Sequence, residues 1–262
     1  MSSSLASRLQ ISLFQARHMH RLHRVNMLEP GLCRVVFGTK RIFVGRQSIA
    51  ATSGQWLLLP AHVPMDVENE PGSQGYLAQV LTFSPHWLGE FQTWHAAQLP
   101  APDLKMGLQH WRLPRDARLD AAWKQLEESL ALEESPVLQK HHLHGLWLII
   151  GLSGRLWPLL AASGTDLALR VQQVLMSDPS ANWMQGDVAN RLHMSSPTLR
   201  RHLATEGQSF RAILDEVRMA QALNHIQTTR KSIEDIARAC GYASASRFAA
   251  RFRQQYGLSP RS

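Results

Sequence analysis

The residues with the most chemical potential in this 262-residue chain are basic or hydroxylated, and they come in two similar sets. Ser195, Ser196, Thr198, Arg200 and Arg201 make the first; Ser244, Ser246, Arg247, Arg251 and Gln254 make the second. Arginine carries a planar fork that matches guanine edges and phosphate oxygens, while Ser, Thr and Gln bond bases or backbone. Such sets are suited to gripping double-stranded DNA. From Ile236 to the end there is no acidic residue, whereas Arg238, Arg247, Arg251, Arg253 and Arg261 are present. For either set alone, the solvated face of a helical bundle is an equal reading. Two sets in tandem argue against it, because an isolated motif is what chance supplies most easily.

The segments that must position these residues share one pattern. The first reads Val188-Ala189-x-x-Leu192-x-Met194-Ser195-x-x-x-Leu199-x-Arg201-x-Leu203, and the second Ile236-Ala237-x-x-x-Gly241-Tyr242-x-Ser244-x-x-x-Phe248-x-x-x-Phe252. Each predicts a short apolar helix, a tight turn and a second helix, over 184–205 and 232–255; a helix-turn-helix lays its second helix in the major groove. Ala189 and Ala237 are small where two helices approach. Gly241 can take the left-handed conformation that stops a helix, Ser195 and Ser244 can cap the next ones, and Pro197 suits a first turn. Between the modules, Ser209–Gln227 has no Gly or Pro, and Phe210, Ile213, Leu214, Val217, Ala220, Leu223 and Ile226 keep a helical period. A helix of about 27 Å there could hold two reading helices roughly one DNA turn apart.

These residues resemble the DNA-binding domain of the AraC/XylS family of transcription regulators, over about Asp166 to Ser262. The resemblance includes Gly207-x-Ser209-Phe210, Arg218-x-x-x-Ala222 and the run from Ile236 to Pro260. It implies that the second helix of each module contacts DNA. Two departures stand out. Arg247 replaces a usual aromatic residue, and the sequence ends two residues after Pro260, where family members add a short closing helix.

The balance of charge agrees with a polyanionic partner: net +8 and a pI near 10.2. From Asp166 onward there are 13 Lys/Arg against 8 Asp/Glu, and before it 15 against 12. Cys33 and Cys240 fall in different expected domains, which suits a reducing cytoplasm rather than a disulfide framework. The Ser-rich start, Met1 to Gln10, lacks the apolar core of a secretory signal. The run Leu146–Ala162 is interrupted by Gly151, Ser153, Gly154, Arg155 and Pro158, so a buried or dimer-facing helix is expected there and no membrane span.

The chain up to Pro85 has another texture. Strands are predicted at Cys33–Phe37, Arg41–Val44, Gln47–Ala51, Trp56–Leu59, Met65–Glu68 and Tyr76–Phe83, which suggests a β-barrel or sandwich. Glu29-Pro30-x-Leu32-Cys33, Gly38-x-Lys40 and Gly54-x-Trp56-x-Leu58-x-Pro60 resemble the cupin-type N-terminal domain of many AraC-family proteins, which serves as a sensor or oligomerisation module. The expected fold class is therefore α+β multidomain. It comprises a cupin-like β-barrel over 1–117, a helical hairpin and linker over 118–164, and an all-α tandem helix-turn-helix domain over 165–262.

A cupin enzyme would need several His and carboxylate ligands converging on a metal. After Gly54 only His62 precedes the end of the predicted strands, without a His-x-His pair, so neither a barrel metal nor any cofactor is expected. A small-molecule effector is the alternative use of the interior. Phe37, Phe43, Trp56 and His62 are candidates to line its pocket, and a filled core is an equal reading. The clusters His18, His20, His23 and His141, His142, His144 have no recognised ligand pattern, and no Ser-His-Asp order, phosphate loop or carboxylate pair stands out. Helices are predicted at Arg118–Leu132 and Pro136–Leu152, with stripes Leu119, Trp123, Leu126, Leu130 and Leu143, Leu146, Trp147, Ile150. They either pack on the barrel or, as the resemblance implies, pair two subunits into a homodimer through 118–152. Thr165 or Asp166 is expected to cap the next helix. The function expected is that of a sequence-specific transcription regulator, an activator by family, acting on promoter DNA with RNA polymerase as partner. A ligand-independent regulator governed by a protein partner is the alternative, and an enzyme is disfavoured.

Overall fold

The computed structural model describes residues 9–101, 107–160 and 167–260. The expected cap at Thr165 or Asp166 lies outside the described residues. The chain divides into two compact units, residues 1–21 with 29–163 and residues 22–28 with 164–262.

The strands form two antiparallel sheets, all in the first unit except His20–Val25, whose residues from Leu22 on belong to the second. One has the order β1-β8-β3-β6-β9, built from Gln10–Ala16 (β1), Tyr76–Thr82 (β8), Gly31–Phe37 (β3), Trp56–Leu59 (β6) and Arg112–Leu113 (β9). The other has the order β2-β7-β4-β5, from His20–Val25 (β2), Met65–Glu70 (β7), Thr39–Val44 (β4) and Gln47–Thr52 (β5). The six strands expected from alternation and turn residues are present, within a few residues of their expected ends. β1 and β2 are additional. In β1 the alternation breaks at the adjacent Leu13 and Phe14, and in β2 histidines and arginines mask the period. A helix also follows β8: α1, Pro85–His95, starts where Ser84 accepts from the His86 amide and Pro85 fixes the first turn.

The helices α2, Ala117–Ala131, and α3, Pro136–Leu152, form the hairpin and pack on this unit's own sheets. Their buried stripes explain why. The Trp123 ring meets Trp56 edge-on at 4.9 Å, and Trp147 meets Phe83 at 4.9 Å and Phe91 at 5.3 Å. Trp56 also donates to the Asp120 carboxylate at 3.3 Å. Fully burying such rings stabilises by about 1.5–3 kcal/mol each, so the hairpin is core to its unit. The short α4, Trp157–Leu160, buries Leu159 and Leu160.

The second unit is helical: α5 Leu167–Met176, α6 Gln185–Arg191, α7 Ser196–Thr205, α8 Phe210–Thr228, α9 Ile233–Ala239 and α10 Ala245–Tyr256. One core joins Val171, Leu175, Val188, Ala189, Leu199, Leu203, Ile213, Leu214 and Val217. A second runs through Ile236, Ala237, Cys240, Phe248, Phe252 and Tyr256. The Glu206 carboxylate accepts from the Leu167 and Ala168 amides, both at 2.9 Å, and so caps α5 from the far end of α7. Residues 22–28 belong to the same body: the Gln172 side chain donates to the Leu28 carbonyl at 2.8 Å, Asn26 bonds Glu216, and Leu28 packs against the first core.

Candidate nucleic-acid interface

In the first module the chain leaves α6 through Leu192, His193 and Met194. The Leu192 and Met194 amides return to the Ala189 carbonyl at 3.1 and 3.0 Å, and His193 takes a left-handed φ of 56°. Ser195 then caps α7. Its hydroxyl accepts from the Thr198 amide at 3.3 Å and lies 2.8 Å from the Thr198 hydroxyl, and Pro197 sits in the first turn. Gln185 fixes the angle between the two helices by donating to the Ser196 carbonyl at 2.8 Å. Leu199 and Leu203 are buried, which turns Arg200, Arg201 and His202 to solvent.

The second module repeats the scheme. The Tyr242 amide donates to the Ala237 carbonyl at 2.9 Å, Gly241 has φ 75°, and Ser244 accepts from the Arg247 amide at 3.4 Å to cap α10. Phe248, Phe252 and Tyr256 point inward, and Ser246, Arg247, Ala250, Arg253 and Gln254 are exposed. Gly257, at φ 78°, ends the helix with its amide on the Arg253 carbonyl. Both modules therefore present a short helix whose free N-terminal amides are capped by serine and whose outer face is basic. That arrangement delivers charge and hydrogen-bond donors to a groove without spending the buried side.

The singled-out residues divide between two roles. Ser195 and Ser244 serve as caps. Ser196, Thr198, Arg200, Arg201, Ser246, Arg247 and Gln254 lie along the two second helices, with the arginines and Gln254 exposed. Arg251 is different: it is half-buried, lies 3.6 Å from the Asp215 carboxylate of α8, and donates to Gln254 at 2.9 Å. Arg253, two residues on, is exposed.

Two family descriptions match the chain: "AraC-type transcriptional regulator N-terminus" over residues 9–142 and "Helix-turn-helix domain" over residues 188–262. The chain belongs to the AraC family. Among curated relatives, it is 37% identical over 90 residues to the urease operon transcriptional activator of Escherichia coli, covering 34% of this chain and 30% of that protein. It is 34% identical over 103 residues to the transcriptional activator PerA of E. coli O127:H6, covering 39% and 38%. The chain thus spans about a third of the length of these relatives in the matched segments. The fold is that of ToxT from Vibrio cholerae. An apo form superposes with TM-score 0.66 at 16% identity, covering 97% of this chain and 95% of that one. A form described as bound to unsaturated fatty acid gives TM-score 0.62 at 14% identity, covering 97% and 94%.

In the AraC-type N-terminal unit, the pocket candidates are placed apart in role. Trp56 is fully buried against Trp123, Phe37 is 37% exposed at the end of β3, Phe43 lies under the Arg21 guanidinium at 4.1 Å, and His62 occupies a turn with φ 59°. A polar cluster that the spacing did not reveal sits elsewhere in the interior. Lys40 is 7% exposed, and its ammonium donates to Asn69 at 3.0 Å and to the Tyr76 hydroxyl at 3.4 Å. Burial pushes the Lys40 amine down and the Cys33 thiol and Tyr76 hydroxyl up. Its sequence signal was a lysine alternating with apolar residues on an inward strand face, easily taken for an edge residue. Of the histidines, His20 bonds Asn69, His142 lies 3.7 Å from Glu134, and His144 stacks on Trp147. Burial, with Lys140 adding to it, holds His144 down at about 4. Among the described residues no three His, Cys, Asp or Glu side chains are placed to hold a metal, and no helix is long and apolar enough to cross a membrane.

Proposed function

We propose that the chain is a sequence-specific, DNA-binding transcription activator. Its reading faces are Ser196, Thr198, Arg200 and Arg201 on α7, and Ser246, Arg247, Arg253 and Gln254 on α10. The observation that carries this reading is the repeated module in which serine caps the helix, apolar residues hold one side, and arginines stand unburied on the other. Ser195 and Ser244 act as caps with phosphate within their reach, and Arg251 plays a lesser part because Asp215 engages it. RNA polymerase is the natural partner of an activator, by analogy with the relatives named above as activators. The work is done in the cytoplasm, where the promoter is.

The N-terminal unit takes a small anionic effector. Two observations support this: the buried Lys40, whose bonded partners among the described residues are the neutral Asn69 and Tyr76, and a fold shared with a protein crystallised with fatty acid. A carboxylate there would supply the counter-charge a buried ammonium lacks. The hairpin also contributes to a homodimer, supported by Leu132, Val137, Leu138 and Leu152, which are 47–77% exposed. Footprinting of the full chain on selected duplexes at several salt concentrations tests the DNA reading. A sequence-specific footprint spanning two adjacent major-groove segments is expected, and uniform, sequence-blind protection would defeat it.

A further inference from the structure

α8 is more than a rod between the modules. Arg218 projects from its middle, and its guanidinium reaches elements on either side. Its Nε donates to the Pro179 carbonyl at 3.1 Å and its Nη2 to the Ala181 carbonyl at 3.0 Å, both in the loop that enters the first module. That loop is stiff in its own right. The Asp178 carboxylate accepts from the Ser180 and Ala181 amides at 3.1 and 3.2 Å, and the Trp183 indole donates to the Asp178 carbonyl at 2.8 Å.

The same guanidinium lies against the turn of the second module. Its Cζ is 5.9 Å from the centre of the Tyr242 ring. A methyl group on Gly241 would stand 2.6 Å from Nη2 and 2.8 Å from Cζ, closer than packed atoms come. Gly241 is thus required twice, once for its φ of 75° and once to leave room for Arg218. One turn earlier on α8, Asp215 pairs with Arg251 of α10 at 3.6 Å and adds a second tether to the same module.

We propose that Arg218 is a positioning residue that sets the relative orientation of the two reading helices. One rigid, planar group fastens the loop ahead of α6 and the turn ahead of α10 to a shared helix. A lysine cannot do the same: its single nitrogen has no flat face to lie on Gly241 while bonding two carbonyls. The role in DNA binding rests on the reading faces proposed above; the role in orientation does not.

The test uses the full chain and separates those two claims. Spin labels at Ala204→Cys on α7 and Ala250→Cys on α10, both exposed positions, report the distance between the helices while Cys33 and Cys240 stay buried. A single narrow distance distribution is expected for the parent, and one at least twice as wide for Arg218→Ala and for Arg218→Lys. The lysine variant, which keeps charge and stem, decides the matter if the alanine variant loses its helical circular dichroism. An unchanged width overturns the proposal. Binding is then measured on a duplex selected by the parent from a random pool, and on two derivatives with one half scrambled. Arg218→Lys is expected to lose about tenfold on the full duplex and less than twofold on either derivative; equal losses on all three, or none, overturn it. Failure of the parent to select any sequence counts against the DNA reading, while the distance measurement still judges Arg218.

Discussion

The two helix-turn-helix modules make the same left-handed turn with different residues, and the difference separates their duties. The first uses His193 at φ 56°, which costs a residue with a Cβ about 1–2 kcal/mol. The second uses Gly241, avoids that cost, and gives the vacated space to Arg218. The arginines follow suit. Arg200 and Arg201 on α7 stand exposed, whereas Arg251 on α10 is held by Asp215. The charge of Arg251 is tied to the helix that joins the modules, while that of Arg200 and Arg201 faces solvent.

The harshest way to break this comparison is to overfill the first module. Ala189 is fully buried between α6 and its neighbours, so Ala189→Trp is expected to cost about 3 kcal/mol or to abolish folding of that module. Chemical denaturation followed by circular dichroism reads the loss, and an unchanged midpoint would mean that the interior there has room. Next in size is the pair of arginines. Arg200→Ala is expected to weaken binding to a selected duplex by about 2 kcal/mol with a change in base preference, and Arg251→Ala by less than about 1 kcal/mol. Gel-shift titrations that ranked them the other way would reverse the assignment of duties. If Arg200 instead meets only phosphate, all sequences weaken alike and the salt slope falls by about one.

Smaller effects sharpen the contrast at the turns. His193→Gly is expected to stabilise the chain by about 0.5 kcal/mol, the relief of strain being partly offset by the freer unfolded chain; thermal melting checks it. The smallest signal is chemical. Burial lifts the Cys240 thiol from 9 to about 11, so at pH 8 its thiolate is roughly 100-fold scarcer than in an unfolded chain. In a Cys33→Ser background, alkylation of Cys240 is therefore expected to be slow at pH 8 and to quicken as pH rises toward 11. Fast labelling at pH 8 in the folded chain would show the second module to be open.

How much of this was legible in the residues depended on whether the signal was local. Ser195, Pro197, Gly241 and Ser244 mark caps and turns by type alone, and the apolar period between Phe210 and Ile226 marks a long helix, so the second unit could be drawn from spacing. The six predicted strands had turn residues at their ends. β1 and β2 did not, and their pairing depends on strands far along the chain, as β1 with β8 shows. The site was less legible than the fold. Periodicity puts Arg251 on the polar side of α10, but a carboxylate on another helix decides where its charge goes. Lys40 was hidden for the converse reason: a cation on a short strand reads as solvent-facing until the partner strands close over it.

The seven residues from Leu22 to Leu28 carry a practical consequence. A C-terminal piece cut at Gly164 leaves them behind, stripping Gln172 of its carbonyl and Glu216 of its amide and opening a greasy notch where Leu28 had been. Such an excised piece is an injured domain. Its melting point and DNA affinity do not stand for those of the intact chain.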